Sequence, residues 1–192
     1  MAKILGNFHY ALVIGAVLLL LAMFGLHAAD MGGDYLTPWM VFFHVLNGIL
    51  WIGLLYYFNF VQIPTMPKIP AELKPAIGKH IAPAALFWFR WSALGTVITG
   101  LIVAWLKGYL HEAFTLQPGF KVIGVGMILG LIMAFNVWFI IWPNQKRALG
   151  IVEADADTKA KSATTAMVFS RTNFVLSFPM LYAMVTQLYL AK

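Results

Sequence analysis

The chain has 192 residues, of which 61% are hydrophobic, 15% aromatic and only 10% charged, with a mean hydropathy of +0.82. A soluble domain carries about 25% charged residues, so this composition excludes an ordinary water-soluble globule and predicts a chain that uses the bilayer as its apolar solvent. The net charge of +6 does not point to nucleic acid, because the 13 Lys and Arg are scattered between apolar runs, as the loop charges of a membrane protein are; membrane lipid with anionic headgroups is the expected partner.

A helix needs about 20 mostly apolar residues to cross a hydrocarbon core of roughly 30 Å. Five stretches qualify, near 8–27, 38–62, 83–106, 120–142 and 166–190. They predict an all-α integral membrane bundle of about five transmembrane helices, forming one domain over residues 1–192. The first run is followed by Ala28 and Ala29, as a cleaved secretory signal would be, but it is read here as a span, ended by Asp30, Gly32, Gly33 and Asp34. Pro64, Pro67, Pro70 and Pro75 punctuate the connection 63–82, which reads as too irregular for one long helix. Pro118 and Gly119 precede the fourth span, and Pro143 with Asn144 closes it. The charged stretch 144–165 is expected to form a short helix on the membrane surface.

With the N-terminus inside, the inner segments hold eight basic residues: Lys3, Lys68, Lys74, Lys79, Lys146, Arg147, Lys159 and Lys161. The outer segments hold three, Lys107, Lys121 and Lys192. Basic residues concentrate on the cytoplasmic side, so the expected orientation is N-terminus in and C-terminus out.

Polar side chains at membrane depth are costly and need a reason. On the second span His44, Gly48, Trp51, Leu55, Asn59 and Gln62 share one stripe at helical spacing, with Asn47 beside it. His44 lies about six residues, or roughly 9 Å, from the outer end. A neutral imidazole there suits a haem iron or other metal; equally, it suits a structural hydrogen bond between helices. A second axial ligand would come from His27 or His111, and a copper site from His27, Met31 and His44. Arg90 and Arg171 either snorkel to headgroups or bind an anion such as a haem propionate. Asn136, Asn173, Ser177 and Gln187 read as interhelical hydrogen-bonding residues. Ser92, Gly95, Thr96 and Thr99 on the third span, and Gly126, Gly130 and Ala134 on the fourth, read as close-packing faces. The absence of cysteine excludes disulfides, iron–sulfur clusters and covalently attached c-type haem within these residues. No nucleotide loop, catalytic triad or zinc-helix motif is present.

Four blocks of sequence carry a resemblance: HVLNGILWIGLLYYFNFVQIP (44–64), FWFRWSALGTVITG (87–100), FNVWFIIWPNQK (135–146) and RTNFVLSFPM (171–180). In this order they resemble the membrane domain of bacterial cytochrome c-type urate oxidase (urate hydroxylase). A more distant similarity is to the membrane-type protoporphyrinogen oxidase, in which a span histidine serves haem b. The resemblance implies a protein of the bacterial inner membrane that binds haem b and passes electrons to a partner membrane protein, a quinone or a cytochrome c. It places His44 as the iron ligand and Arg90, Asn136, Arg171 and Asn173 as cofactor-binding positions. Two alternatives stand beside it: a non-catalytic accessory subunit of a larger membrane complex, and a direct oxidase of urate or another small planar anion.

Overall fold

The computed structural model describes residues 2–27 and 35–190. The first predicted break (30–34), Met31 and Lys192 lie outside the described residues. Among those described there is no strand. Apart from a helical turn at Ala2–Leu5 and a five-residue helix Leu110–Phe114, the helices are α1 (Phe8–His27), α2 (Leu36–Lys68), α3 (Lys74–Leu106), α4 (Lys121–Ala148) and α5 (Ala156–Leu190).

The first four are long and apolar enough to cross a membrane. At 35 residues α5 is the longest, and it contains the fifth expected span; Arg171, Thr172 and Asn173 dilute its apolar character. The chain divides into two compact units, Met1–Trp39 and Met40–Lys192. In the first unit α1 is apolar on every side and none of its residues is buried, the pattern of a helix whose surroundings are themselves apolar.

The core lies in the second unit. Trp51, Leu55 and Phe58 of α2 meet Leu86, Phe89 and Ala93 of α3, Met133 and Val137 of α4, and Ala166 and Met180 of α5. The α2 residues at the centre of this core, Trp51 and Leu55, belong to the stripe that carries His44. On the opposite side of α2, Leu46, Leu50, Gly53 and Phe60 are exposed, while Leu54 and Tyr57 are half-buried against the core.

The helices are longer than the spans, and the reason is local. Three π-helical segments, Tyr57–Gln62, Ile77–Ile81 and Asn136–Ile141, sit inside α2, α3 and α4. Each is followed two residues later by a proline: Pro64, Pro83 and Pro143. In each case the residue before the proline donates its N–H five residues back, Ile63 to Phe58, Ala82 to Ile77 and Trp142 to Val137. Proline lacks the N–H for the ladder, and its ring crowds the carbonyl one turn back. A widened turn just before it makes the room, so the helix continues instead of stopping. The connection 63–82 is therefore mostly helix, with its break confined to residues 69–73.

The segment 144–165 likewise forms no separate surface helix. Residues up to Ala148 finish α4, and α5 has already begun at Ala156. Gly150, at φ 72°, turns the chain. Ile151 N–H bonds the Lys146 carbonyl at 2.9 Å and Gly150 N–H the Arg147 carbonyl at 3.0 Å, a Schellman closure that only a left-handed residue completes without strain. Gly108 closes α3 in the same way, with Tyr109 N–H on the Ala104 carbonyl at 3.1 Å.

Asp155 starts α5. Its carboxylate accepts from the Thr158 hydroxyl at 2.7 Å and from the Thr158 N–H at 2.8 Å, which is N-terminal capping. These bonds, the hydroxyl's first, hold the Asp155 carboxyl below its ordinary value. A lowered folded-state pKa contributes stability above the ordinary carboxylate pKa and loses it as pH falls through the lowered value. The protection factor of the Thr158 amide should therefore drop on acidification, and should be low and pH-independent in Asp155→Ala. A flat profile in the unsubstituted protein would refute the cap's role.

Candidate functional site

The polar groups at depth form three separate places in the second unit. The first lies between α2 and α3. His44 is half-buried, and its Nδ1 stands 2.8 Å from the Thr96 carbonyl oxygen, with Thr99 Oγ1 at 3.5 Å. A carbonyl only accepts, so Nδ1 carries the proton and donates. The imidazole is thereby fixed as the tautomer whose Nε2 bears the lone pair.

Small residues make this approach possible. A Cβ on Gly100 would come within 2.7 Å of His44 Cε1, and one on Gly95 would overlap the Asn47 side-chain amide. The hydroxyls of Ser92, Thr96 and Thr99 fold back onto the carbonyls of Trp88, Ser92 and Gly95 of their own helix. They are satisfied mainly within their own helix; the Thr99 hydroxyl also reaches the Thr96 carbonyl at 3.3 Å, which His44 approaches more closely at 2.8 Å.

The second place lies among α2, α4 and α5. Asn136 Nδ2 donates to Asn173 Oδ1 at 2.8 Å, and Asn173 Nδ2 donates to the Met133 carbonyl at 2.9 Å. Asn173 is 0% exposed and Asn136 6%. Asn136 opens the π segment of α4, where the backbone ladder is already rearranged. Beside this pair, Asn59 Nδ2 donates to the Leu55 carbonyl and to Ser170 Oγ, while Tyr56 and Ser177 share a hydroxyl contact at 3.1 Å. Trp51 Nε1, Asn59 Oδ1 and Gln62 Oε1, all on α2, are buried with no hydrogen-bond partner among the described residues. Buried polar atoms of this kind are normally satisfied by water or a bound group.

The third place lies between α3 and α4. The Arg90 guanidinium stacks on the Trp142 ring, 3.6 Å from its centroid, with Phe87 and Trp138 further out at 5.9 and 6.0 Å. Trp138 Nε1 donates to the Arg90 carbonyl at 3.1 Å.

Of the five residues singled out from the sequence, only Asn136 and Asn173 are joined by a hydrogen bond. His44 faces α2's neighbour α3 at Thr96 and Gly100, while Arg90 faces α4 from a different side of α3 and roughly 9–15 Å along it. Arg171 is exposed on α5. His111 is exposed in the helix Leu110–Phe114, and the His27 ring lies 6.4 Å from Tyr35 in the first unit. Among the described residues no group of three or more His, Asp or Glu is placed to hold a metal ion.

For haem b the residues thus fit on the imidazole side: a tautomer-fixed histidine, with Gly48 one turn away. The arginines do not fit as propionate partners of the same group, because Arg90 serves another face. Sequence reasoning missed Thr96 and Gly100 as the partners of His44, and Trp142 as the partner of Arg90. The first could have been read from the Gly95–Gly100 spacing; nothing local to Trp142 marks it. Gln187 behaves as read, bonding the Ile123 N–H and the Gly119 carbonyl, each at 2.8 Å, at the start of α4.

Residues 101–192 match the sequence model of the family described as Urate oxidase N-terminal. No curated protein and no solved structure matches the chain. The match is a likeness over 92 of the 192 residues. It begins inside α3 and takes in α4, α5, the Asn136–Asn173 pair and Gln187, whereas His44 and Arg90 precede it.

Proposed function

We propose that this chain is a membrane-embedded redox component related to urate oxidase, in which His44 holds the iron of a haem b. The observation that carries the reading is the donation from His44 Nδ1 to the Thr96 carbonyl at 2.8 Å. Metal-binding histidines characteristically donate their second ring nitrogen to a carbonyl or carboxylate, which orients the ring and raises the basicity of the ligating nitrogen. The Urate oxidase N-terminal match supports the oxidase side of the reading.

When bound, haem b supplies a one-electron carrier inside the low-dielectric bundle. The chain's own residues hold and aim the ligand. Thr96 keeps the proton on Nδ1, so Nε2 stays unprotonated. Gly100 lets the ring lie against α3, and the apolar flank of α2 excludes water. With the group bound, a quinone or a c-type cytochrome on a partner in the bacterial inner membrane would be its redox partner.

The visible spectrum of the purified full chain tests this. A Soret band with resolved α and β bands on reduction is the expected result, and His44→Ala should abolish it while preserving helicity. Gly100→Ala, which pushes on the ring but leaves the histidine in the sequence, should weaken haem retention by about tenfold or more. Protein that stays colourless when haem is supplied, or an unchanged spectrum in His44→Ala, overturns the proposal; the first outcome favours an accessory subunit.

A further inference from the structure

We propose that the α3–α4 face is a binding site for one anionic phospholipid, its headgroup phosphate on Arg90 and Lys146 and an acyl chain in the groove beyond them. This is independent of what His44 binds.

Two cations attend a single ring. Arg90 Cζ lies 3.6 Å and Lys146 Nζ 5.7 Å from the Trp142 centroid. Stacking uses the flat face of the guanidinium and leaves its in-plane N–H donors pointing outward. Among the described residues no carboxylate pairs with either cation, and no hydrogen bond takes a guanidinium N–H. A pair of unneutralised cations with a free donor fork fits the oxygens of a phosphate.

An apolar groove of about 720 Å³ runs on from this cluster, lined by Leu94 and Val97 of α3 and by Leu131, Phe135 and Trp138 of α4, with no polar residue in its walls. Trp138 belongs to both, lining the groove while its indole N–H holds the Arg90 carbonyl. Leu94 and Val97 follow Arg90 at steps of four and seven residues, and Trp138, Phe135 and Leu131 precede Trp142 at steps of four, seven and eleven. The groove therefore extends along both helices away from the cations. Measured from Trp142 to Leu131, the cation cluster and the groove together take up eleven residues of α4, about 16 Å, the depth of one leaflet, half of a hydrocarbon core of roughly 30 Å. A cation pair at one end and an apolar slot running on from it fit a charged head on an acyl chain; a soluble anion would leave the slot empty. Basic pockets between transmembrane helices are favourable places for anionic headgroups.

Native mass spectrometry of the full chain in detergent tests this, with phosphatidylglycerol and phosphatidylcholine of identical chains as probes. Retention of one phosphatidylglycerol per chain, about tenfold above phosphatidylcholine, is expected from two surface cations. Arg90→Gln with Lys146→Gln should remove the preference. Ala134→Trp, which fills the groove but keeps both cations, should also lower retention, and it keeps the test open if the double variant folds poorly. Equal retention of the two lipids overturns the proposal. So does full displacement by glycerophosphate at the lipid's concentration, which would mean a simple anion site, or retention of a quinone in preference to phosphatidylglycerol.

Discussion

Replacing Asn173 by leucine should destabilise the bundle by about 2–3 kcal/mol, read from the midpoint of unfolding in mixed detergent and SDS micelles. Asn173 is 0% exposed and bonds in two directions, to Asn136 and to the Met133 carbonyl. Leucine fills a comparable volume, so the loss reports polar contacts more than a cavity. The two ends do not suffer equally. The Met133 carbonyl also accepts the Asn136 backbone N–H and keeps a partner. The Asn136 amide keeps none, and its stranded donor in an apolar interior supplies most of the cost. Asn136→Leu in the Asn173→Leu background should therefore recover part of the loss, because it removes the orphan. The singles should sum to more than the double. Strict additivity would mean that the two asparagines act separately, and the pairing described here would be wrong.

That pair illustrates what a sequence of this kind discloses. Apolar runs of about 20 residues mark transmembrane helices because the bilayer sets their length, and the predicted spans coincide with α1 to α5, the fourth starting one residue before α4. The stripe on α2 was legible for the same reason: helical spacing puts Trp51, Leu55 and His44 on one face, and burying that face builds the core. Helix ends were less legible. Pro64, Pro83 and Pro143 look like stop signals, yet each sits just after a π turn that admits it, and three helices run through them. A π turn is a property of the backbone ladder, so it shows in sequence only through the proline it accommodates.

Partnership was the least legible. The depth of Arg90 could be read from its position, but its seat on Trp142 depends on how α3 and α4 pack, and nothing near either residue announces that. Asn136 and Asn173 were each recognisable as costly polar groups at depth; their meeting, 37 positions apart, follows from the antiparallel packing of α4 on α5. His44 falls between these cases. Its likeness to a ligand was visible, but Gly100, which lets it approach α3, and the carbonyl that fixes its tautomer were not, because both partnerships belong to the tertiary structure.

The glycines of α4 give the second large effect, and they respond in opposite directions. A Cβ on Gly124 would overlap the Ala113 carbonyl and stand 2.7 Å from Leu116 Cδ2. The carbonyl is backbone, held in the turn where Leu116 N–H returns to Ala113 and Thr115 N–H to His111, so it cannot step aside as a flexible side chain would. Gly124→Ala should cost about 1–3 kcal/mol, the usual range for overpacking, and should loosen the helix Leu110–Phe114, seen as faster amide exchange at Thr115. At Gly130 a Cβ meets nothing within 4 Å, although the residue is buried. Gly130→Ala should be neutral or stabilise by up to about 1 kcal/mol, because alanine loses less backbone freedom on entering a helix. Gly126 lies between them, its added Cβ 3.1 Å from Ala183 Cβ, where α4 and α5 approach. The four-residue spacing of Gly126, Gly130 and Ala134 suggests one continuous close-packing stripe, but the closest approach is at Gly124, off that stripe, against the Ala113 carbonyl of the short helix Leu110–Phe114 instead of against α5. A Gly130→Ala variant that unfolds as readily as Gly124→Ala would show that α4 packs by the stripe after all.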